Sequence, residues 1–116
     1  MMSWFNRCSL LVCVALAVCA GCGDGGPPAD ERLSIAVIPM GTTHEFWKSI
    51  HAGAEKAAAE LDVQIIWKGP QVEDDRAAQI AVVEDMIARR VDGIVLAPLD
   101  RTGLRQVVTE ARMAGI

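Results

Sequence analysis

Cysteine is missing from most of this sequence, because Cys8, Cys13, Cys19 and Cys22 all lie near the amino terminus. Disulfides confined to that stretch would cross-link nothing in a folded domain, so the cysteine count does not indicate a disulfide framework. From residue 23 onward there is also no thiol for nucleophilic catalysis. The four cysteines therefore need an explanation other than a disulfide framework.

Motifs of several other functional classes are missing as well. Residues 40–43 contain neither Gly-x-Gly-x-x-Gly nor Gly-Lys-Ser/Thr, which argues against a phosphate loop. His44-Glu45 is followed by Lys48 where a zinc helix has its second histidine. No carboxylate pair stands out, and the net charge of -4 argues against nucleic acid, whose binding surfaces are basic. We therefore expect no enzyme activity, no metal and no cofactor.

The beginning of the chain is typical of an export signal followed by a tether. Arg7 is the only charged side chain before Asp24, and Leu10–Ala20 is an apolar run that is short for a membrane span. Residues 22–32 are rich in glycine and proline and show no apolar periodicity. This composition predicts a disordered tether that holds a folded domain away from a membrane surface.

The residues directly before Cys22 resemble a known type of cleavage site. Ala20-Gly21-Cys22 resembles the bacterial lipoprotein cleavage box, although Cys19 stands where that box usually has leucine. The resemblance implies that residues 1–21 are removed, that Cys22 is lipidated, and that the protein is anchored to a membrane in the periplasm or cell envelope. A simple secretory signal cleaved nearby, or an uncleaved short anchor, are the alternatives.

The rest of the chain, residues 33–116, repeats one unit. Apolar segments at Leu33–Ile38, Val63–Trp67 and Gly93–Ala97 are each followed by a helical pattern. Their spacing of about thirty residues is that of βαβ units. Right-handed crossovers then predict an α/β fold, βαβαβα, with a doubly wound parallel sheet of strand order 2-1-3.

Three strands with an open edge make a thin core. We therefore predict that residues 33–116 are the first part of a longer protein, and that alone they are only marginally folded.

The segment after the first strand starts a helix and carries mixed chemistry. Pro39 ends the strand, Gly41 allows a turn, and Thr42 with Glu45 predicts a capping box. The helix has an apolar stripe at steps of three and four, formed by Phe46, Ile50, Gly53, Ala57 and Leu61. Trp47 lies about 100° from that stripe, so we expect it to be exposed beside a ligand, with Phe46 shared between core and ligand.

The sheet order brings this segment to a ligand-binding edge. The switch point of a 2-1-3 sheet lies between strands 1 and 3, so loops 40–47 and 98–103 face each other there, with loop 68–76 alongside. The candidate ligand-binding residues are Thr43, His44, Phe46, Trp47 and Asp100. Helix capping is the alternative for His44 and Asp100.

Three segments together resemble the type I periplasmic solute-binding proteins, in particular the ribose- and galactose-type components of ABC transporters. They are Ile35–Pro39, Phe46–Ala54 with its aromatic pair, and Val91–Pro98. The resemblance covers residues 33–116 and implies a two-lobed clamshell that closes on a monosaccharide and delivers it to a membrane permease.

The resemblance also implies specific ligand contacts. Members stack the sugar on aromatics that match Phe46 and Trp47. His44 and Ala97 stand where members such as the ribose binder have asparagines, and both departures argue against ribose itself.

Two other classes share such a sheet. Effector domains of sugar-responsive repressors need a DNA-binding helix-turn-helix in front, where this sequence has a signal and a tether; a partner of a chemoreceptor is a related possibility. An enzyme on a Rossmann-like sheet is disfavoured by the absent phosphate loop.

Overall fold

The computed structural model describes residues 32–116, which form a parallel α/β sheet. The elements alternate as β1 (Ser34–Ile38), α1 (Glu45–Leu61), β2 (Gln64–Trp67), α2 (Arg76–Ala88), β3 (Gly93–Leu96) and α3 (Arg105–Met113). The strand order is β2-β1-β3 with parallel pairing throughout, which confirms the predicted βαβαβα topology. The predicted signal, Cys22 and most of the tether lie outside the described residues.

The central strand β1 is buried on both faces. Its alternate residues Ala36 and Ile38 belong to the main core, and Ile35 and Val37 face the opposite way, toward α1. The core cluster combines β1 with α2, α3 and the approach to β3, through Ala36, Ile38, Val83, Met86, Val91, Leu104 and Val107. Helices therefore cover both faces, as expected for strands that read as nearly continuous apolar runs.

The face beneath α1 is covered less completely than the other face. An open apolar groove of about 360 Å³ runs between α1 and the sheet. Around it Ile50, Leu61 and Val95 remain 42%, 71% and 58% exposed. Within residues 32–116, no helix has both the length and the apolar character needed to cross a membrane. The expectation that this region folds only marginally remains a prediction.

The buried side of α1 lies one residue later than the predicted stripe. Trp47 is 6% exposed and Phe46 is 57% exposed, so the expectation that Trp47 is exposed is wrong, and so is the placing of Phe46 on the buried stripe of the helix. Ala58, rather than Ala57, is the buried alanine of the last turns. Phe46-Trp47 and Ala57-Ala58 are both adjacent apolar pairs, so helical periodicity allows either member of each pair to face the sheet. Packing against the sheet selects the second member in both cases.

Candidate functional site

The loop after β1 is fastened to the loop after β2. The Thr42 hydroxyl donates to the carbonyl of Pro70 (3.2 Å), and the Thr43 hydroxyl donates to the carbonyl of Gln71 (3.1 Å). This confirms that the two loops lie side by side. The predicted capping box is wrong, because α1 begins only at Glu45 and the Thr42 hydroxyl serves the neighbouring loop instead.

His44 is the N-cap of α1. Its backbone is extended (φ -75, ψ 142), and its Nδ1 accepts a hydrogen bond from the backbone N–H of Phe46 (3.2 Å). This confirms the capping alternative. Because Nδ1 acts as an acceptor, the neutral ring carries its proton on Nε2. Nε2 makes no hydrogen bond among residues 32–116, so it can still donate to a ligand hydroxyl.

Trp47 and Phe46 form a supported aromatic pair. The indole N–H of Trp47 donates to Oε1 of Glu73 (2.7 Å), which fixes the ring against the loop after β2. The Phe46 ring meets Trp47 edge-on, with centroids 5.0 Å apart and planes at 76°, a favourable aromatic arrangement. The exposed aromatic surface at this site therefore belongs to Phe46, with Trp47 buried as its support.

Gly41 leaves room for Glu73. A Cβ on Gly41 would lie 2.8 Å from Cγ of Glu73, closer than non-bonded carbons approach. The backbone of Gly41 is not in the left-handed region, so this close approach, and not a positive φ, is what requires a glycine here. A larger residue here would displace the carboxylate that holds Trp47.

Asp100 organises the loop after β3. Its Oδ1 accepts from the backbone N–H groups of Thr102 (2.7 Å) and Gly103 (2.9 Å) and from the Thr102 hydroxyl (2.9 Å). Its Oδ2 accepts from Nη1 of Arg76 (3.1 Å). Asp100 is not the N-cap of α3, which begins at Arg105 after Leu104. Ligand contact by Asp100 stays a prediction, for a carboxylate that already accepts four hydrogen bonds.

The same contacts give Asp100 a role in acid stability. Backbone N–H groups of Gly103 and Thr102, followed by the Thr102 hydroxyl and Arg76, hold the pKa of the Asp100 carboxyl well below its usual range. A depressed folded-state pKa means that this stabilisation is fully present above the unfolded value of about 3.9 and is lost as the pH falls toward the folded value.

We expect Asp100→Asn to be less stable than the wild type at neutral pH, and to lose less stability as the pH falls from about 5 to about 2. Urea denaturation at a series of pH values measures both effects. Asp74→Asn is the matched control, because the Asp74 side chain is exposed and makes no hydrogen bond within the described part of the chain. Equal acid slopes in the wild type and Asp100→Asn would contradict the assignment.

The two halves of the site are joined by a residue that the sequence analysis missed. Gln79 of α2 hydrogen-bonds to Pro39, Ala97 and Leu99 (2.8–3.0 Å), so it connects the ends of β1 and β3. No direct hydrogen bond joins Asp100 to the candidate residues of the β1 loop within 32–116. The sequence contained a signal that Gln79 is buried, because it lies four and seven residues before Val83 and Met86, on the same side of α2.

Glu73 was also missed, because its partner, Trp47, is distant in sequence. In the described region, no group of three or more histidine, cysteine, aspartate or glutamate side chains is arranged to hold a metal ion. The arrangement that results is an exposed aromatic face and a histidine donor at the carboxyl edge of a parallel sheet, where ligands bind in such folds.

Comparison with known proteins places this arrangement in context. Residues 35–116 match the family model described as "Periplasmic binding protein domain". The D-ribose/D-allose-binding protein of Pseudomonas aeruginosa is 34% identical over 88 residues, which is 74% of this chain and 28% of that protein. The chain therefore spans little more than a quarter of the length of this curated relative.

Solved structures give the same result. A solute-binding protein of an ABC transporter from Agrobacterium vitis, bound to α-D-tagatopyranose, is 40% identical with a TM-score of 0.70, covering 73% of this chain and 28% of its own. A periplasmic solute-binding protein from Actinobacillus succinogenes, with bound D-allose, is 30% identical with a TM-score of 0.71, covering 73% of this chain and 30% of its own.

Proposed function

This chain belongs to the periplasmic binding protein family, and we propose that it supplies one side of a monosaccharide site in the solute-binding component of an ABC transporter. The exposed ring of Phe46 is the observation that carries the proposal. A pyranose has flat faces of C–H groups and a rim of hydroxyls, so it is recognised by an aromatic face with a few placed polar groups.

The surroundings of Phe46 suit that chemistry. The ring is 57% exposed, yet its position is fixed from behind by Trp47. His44, two residues earlier, leaves Nε2 available to donate to a hydroxyl, while Asp100 is an acceptor on the loop after β3. Thr43 already donates its hydroxyl proton to Gln71, so toward a sugar it would act only as an acceptor.

The relatives indicate which sugars to test first. Similar proteins bind D-allose and α-D-tagatopyranose, so we propose a hexose or a closely related sugar. We expect D-allose or D-tagatose to shift the amide resonances of His44, Phe46 and Thr102 in an NMR titration of the ¹⁵N-labelled chain. NMR is suited to this test because it detects millimolar affinities.

Mannitol is the matched control ligand, since it carries the hydroxyls but has no ring face to stack. We expect it to cause much smaller shifts than the cyclic sugars. If no pentose or hexose shifted these resonances at concentrations well above millimolar, the proposed function would be wrong for this chain.

We also propose that the protein is lipid-anchored outside the cytoplasmic membrane through Cys22. This follows from the sequence before Cys22 and would keep the binding domain near its permease. A single acyl chain anchors only marginally, so stable attachment requires more than one chain on the mature amino terminus.

Growth of cells with labelled palmitate, followed by detection of the label on the protein, tests the proposed anchor. We expect the wild type to become labelled and Cys22→Ala to lose the label completely, because that thiol is the proposed acylation site. Cys19→Ala is the matched control and is expected to keep the label. Label retained in Cys22→Ala would identify a different anchor.

Delivery to a permease completes the proposed function. We expect cells without this gene to take up the bound sugar more slowly than wild-type cells, with uptake restored when the gene is returned. Unchanged uptake of a sugar that binds the protein would separate binding from transport and favour a sensory role.

A further inference from the structure

Gln79 is a buried polar residue whose hydrogen-bonding groups are all used. Among residues 32–116 it is the one polar side chain in the buried class, at 0% exposure. Its Nε2 donates to the carbonyls of Pro39 (3.0 Å) and Ala97 (2.8 Å), and its Oε1 accepts from the backbone N–H of Leu99 (2.9 Å). Each partner belongs to the backbone just beyond a strand.

The partners of Gln79 lie where the backbone hydrogen bonds between β1 and the chain after β3 come to an end. The hydrogen bonds between β1 and the chain continuing from β3 extend to the one from the Ala97 N–H to the Ile38 carbonyl (3.0 Å). Among residues 32–116, no backbone hydrogen bond joins the two chains beyond this one, and the carbonyl of Ala97 accepts from Gln79 instead of from the chain after β1. The two chains separate there into the site loops, and the Gln79 amide bridges the gap that the ladder leaves.

The bridge holds both halves of the proposed site at once. Pro39 leads into the loop with His44 and Phe46, and Leu99 immediately precedes Asp100. Arg76, one turn before Gln79 on α2, donates a hydrogen bond to Asp100 (3.1 Å) and so also holds the loop after β3. The first turn of α2 therefore fixes the loop after β3, and within the described residues Gln79 is the side chain that hydrogen-bonds to the backbone on both sides, at Pro39 and at Ala97 and Leu99.

On the basis of the proposed sugar site, we propose that Gln79 is a positioning residue that sets the separation of the two ligand-binding loops. It does not touch the ligand, because it lies buried beneath the loops. Its role differs from merely satisfying buried carbonyls, which would affect stability but not the distance between His44 and Asp100.

Gln79→Met and Val83→Ala separate these roles. Methionine keeps the length of the side chain and removes all three hydrogen bonds. Val83, one turn further along α2, is 1% exposed and belongs to the core cluster, so its truncation destabilises the domain without touching either loop. Both proteins are compared under conditions where urea denaturation shows them to be folded.

We expect Gln79→Met to bind D-allose about tenfold more weakly than the wild type, a change of about 1.4 kcal/mol, and Val83→Ala to bind it as the wild type does. If Gln79→Met does not fold, Gln79→Asn replaces it, since the shorter amide cannot reach both loops. Equal affinity losses in the Gln79 and Val83 variants would overturn the positioning role.

A second readout is independent of the sugar. Without ligand, we expect the Gln79 variant to shift the amide resonances of loops 40–44 and 98–103 and to speed hydrogen exchange at the Leu99 N–H, while Val83→Ala leaves them unchanged. If the wild type binds no sugar, the proposed function fails, and this readout alone decides the role of Gln79. Loops undisturbed by the loss of Gln79 would refute it.

Discussion

Replacing Trp47 with alanine lowers the free energy of unfolding by about 3–5 kcal/mol, the usual cost of removing a buried aromatic side chain. Trp47 is 6% exposed, although it lies at the very start of α1. The substitution leaves a cavity and also removes the hydrogen bond to Glu73 (2.7 Å). In a domain with a thin core, a loss of this size removes most of the cooperative transition.

Urea denaturation followed by far-UV circular dichroism measures this loss, since a fluorescence signal from Trp47 would vanish with the substitution. Trp47→Phe separates the two contributions in part, because it removes the N–H donor and keeps an aromatic ring that retains most of the packing. We expect it to cost about 1 kcal/mol. A Trp47→Ala protein as stable as the wild type would mean that the ring is not a structural support.

Replacing Phe46 with alanine is expected to weaken sugar binding and to leave the stability of the domain nearly unchanged. The free energy of unfolding changes by no more than about 0.5 kcal/mol, because the ring is 57% exposed. Binding of the sugar loses about 2 kcal/mol, as expected for an aromatic anchor in a site. That loss weakens affinity roughly thirtyfold.

NMR titration with D-allose measures the affinity of each variant. Phe46→Leu is the informative control, since leucine supplies apolar surface without a flat face, and we expect it to restore little of the binding. Met113→Ala, at an 83% exposed residue of α3, controls for the loss of exposed apolar surface in general. Wild-type affinity in Phe46→Ala would exclude sugar stacking on this ring.

The topology could be predicted because three apolar segments and their spacing leave few alternatives. Ile35–Ile38 reads as a strand buried on both faces, and Pro39 marks its end. A parallel connection through a helix is right-handed, which restricts the strand order. These are local signals with a known geometric consequence, and the observed sheet agrees with them.

Helix starts were harder to predict because several polar residues compete for the cap. Thr42, Thr43 and His44 all precede α1. The two threonine hydroxyls find carbonyls on the loop after β2, at Pro70 and Gln71, which leaves the cap to His44. A distant loop decided this choice, and no local pattern contained it.

The sequence alone determined the sheet and the loops that meet at its carboxyl edge, because apolar runs, breakers and crossover handedness act locally. Only the tertiary structure decided which of the two adjacent aromatics is exposed. Phe46 and Trp47 are both apolar, and one helical step of about 100° separates them. Glu73 resolves the ambiguity, since its carboxylate lies where it accepts the indole N–H of a buried Trp47 (2.7 Å).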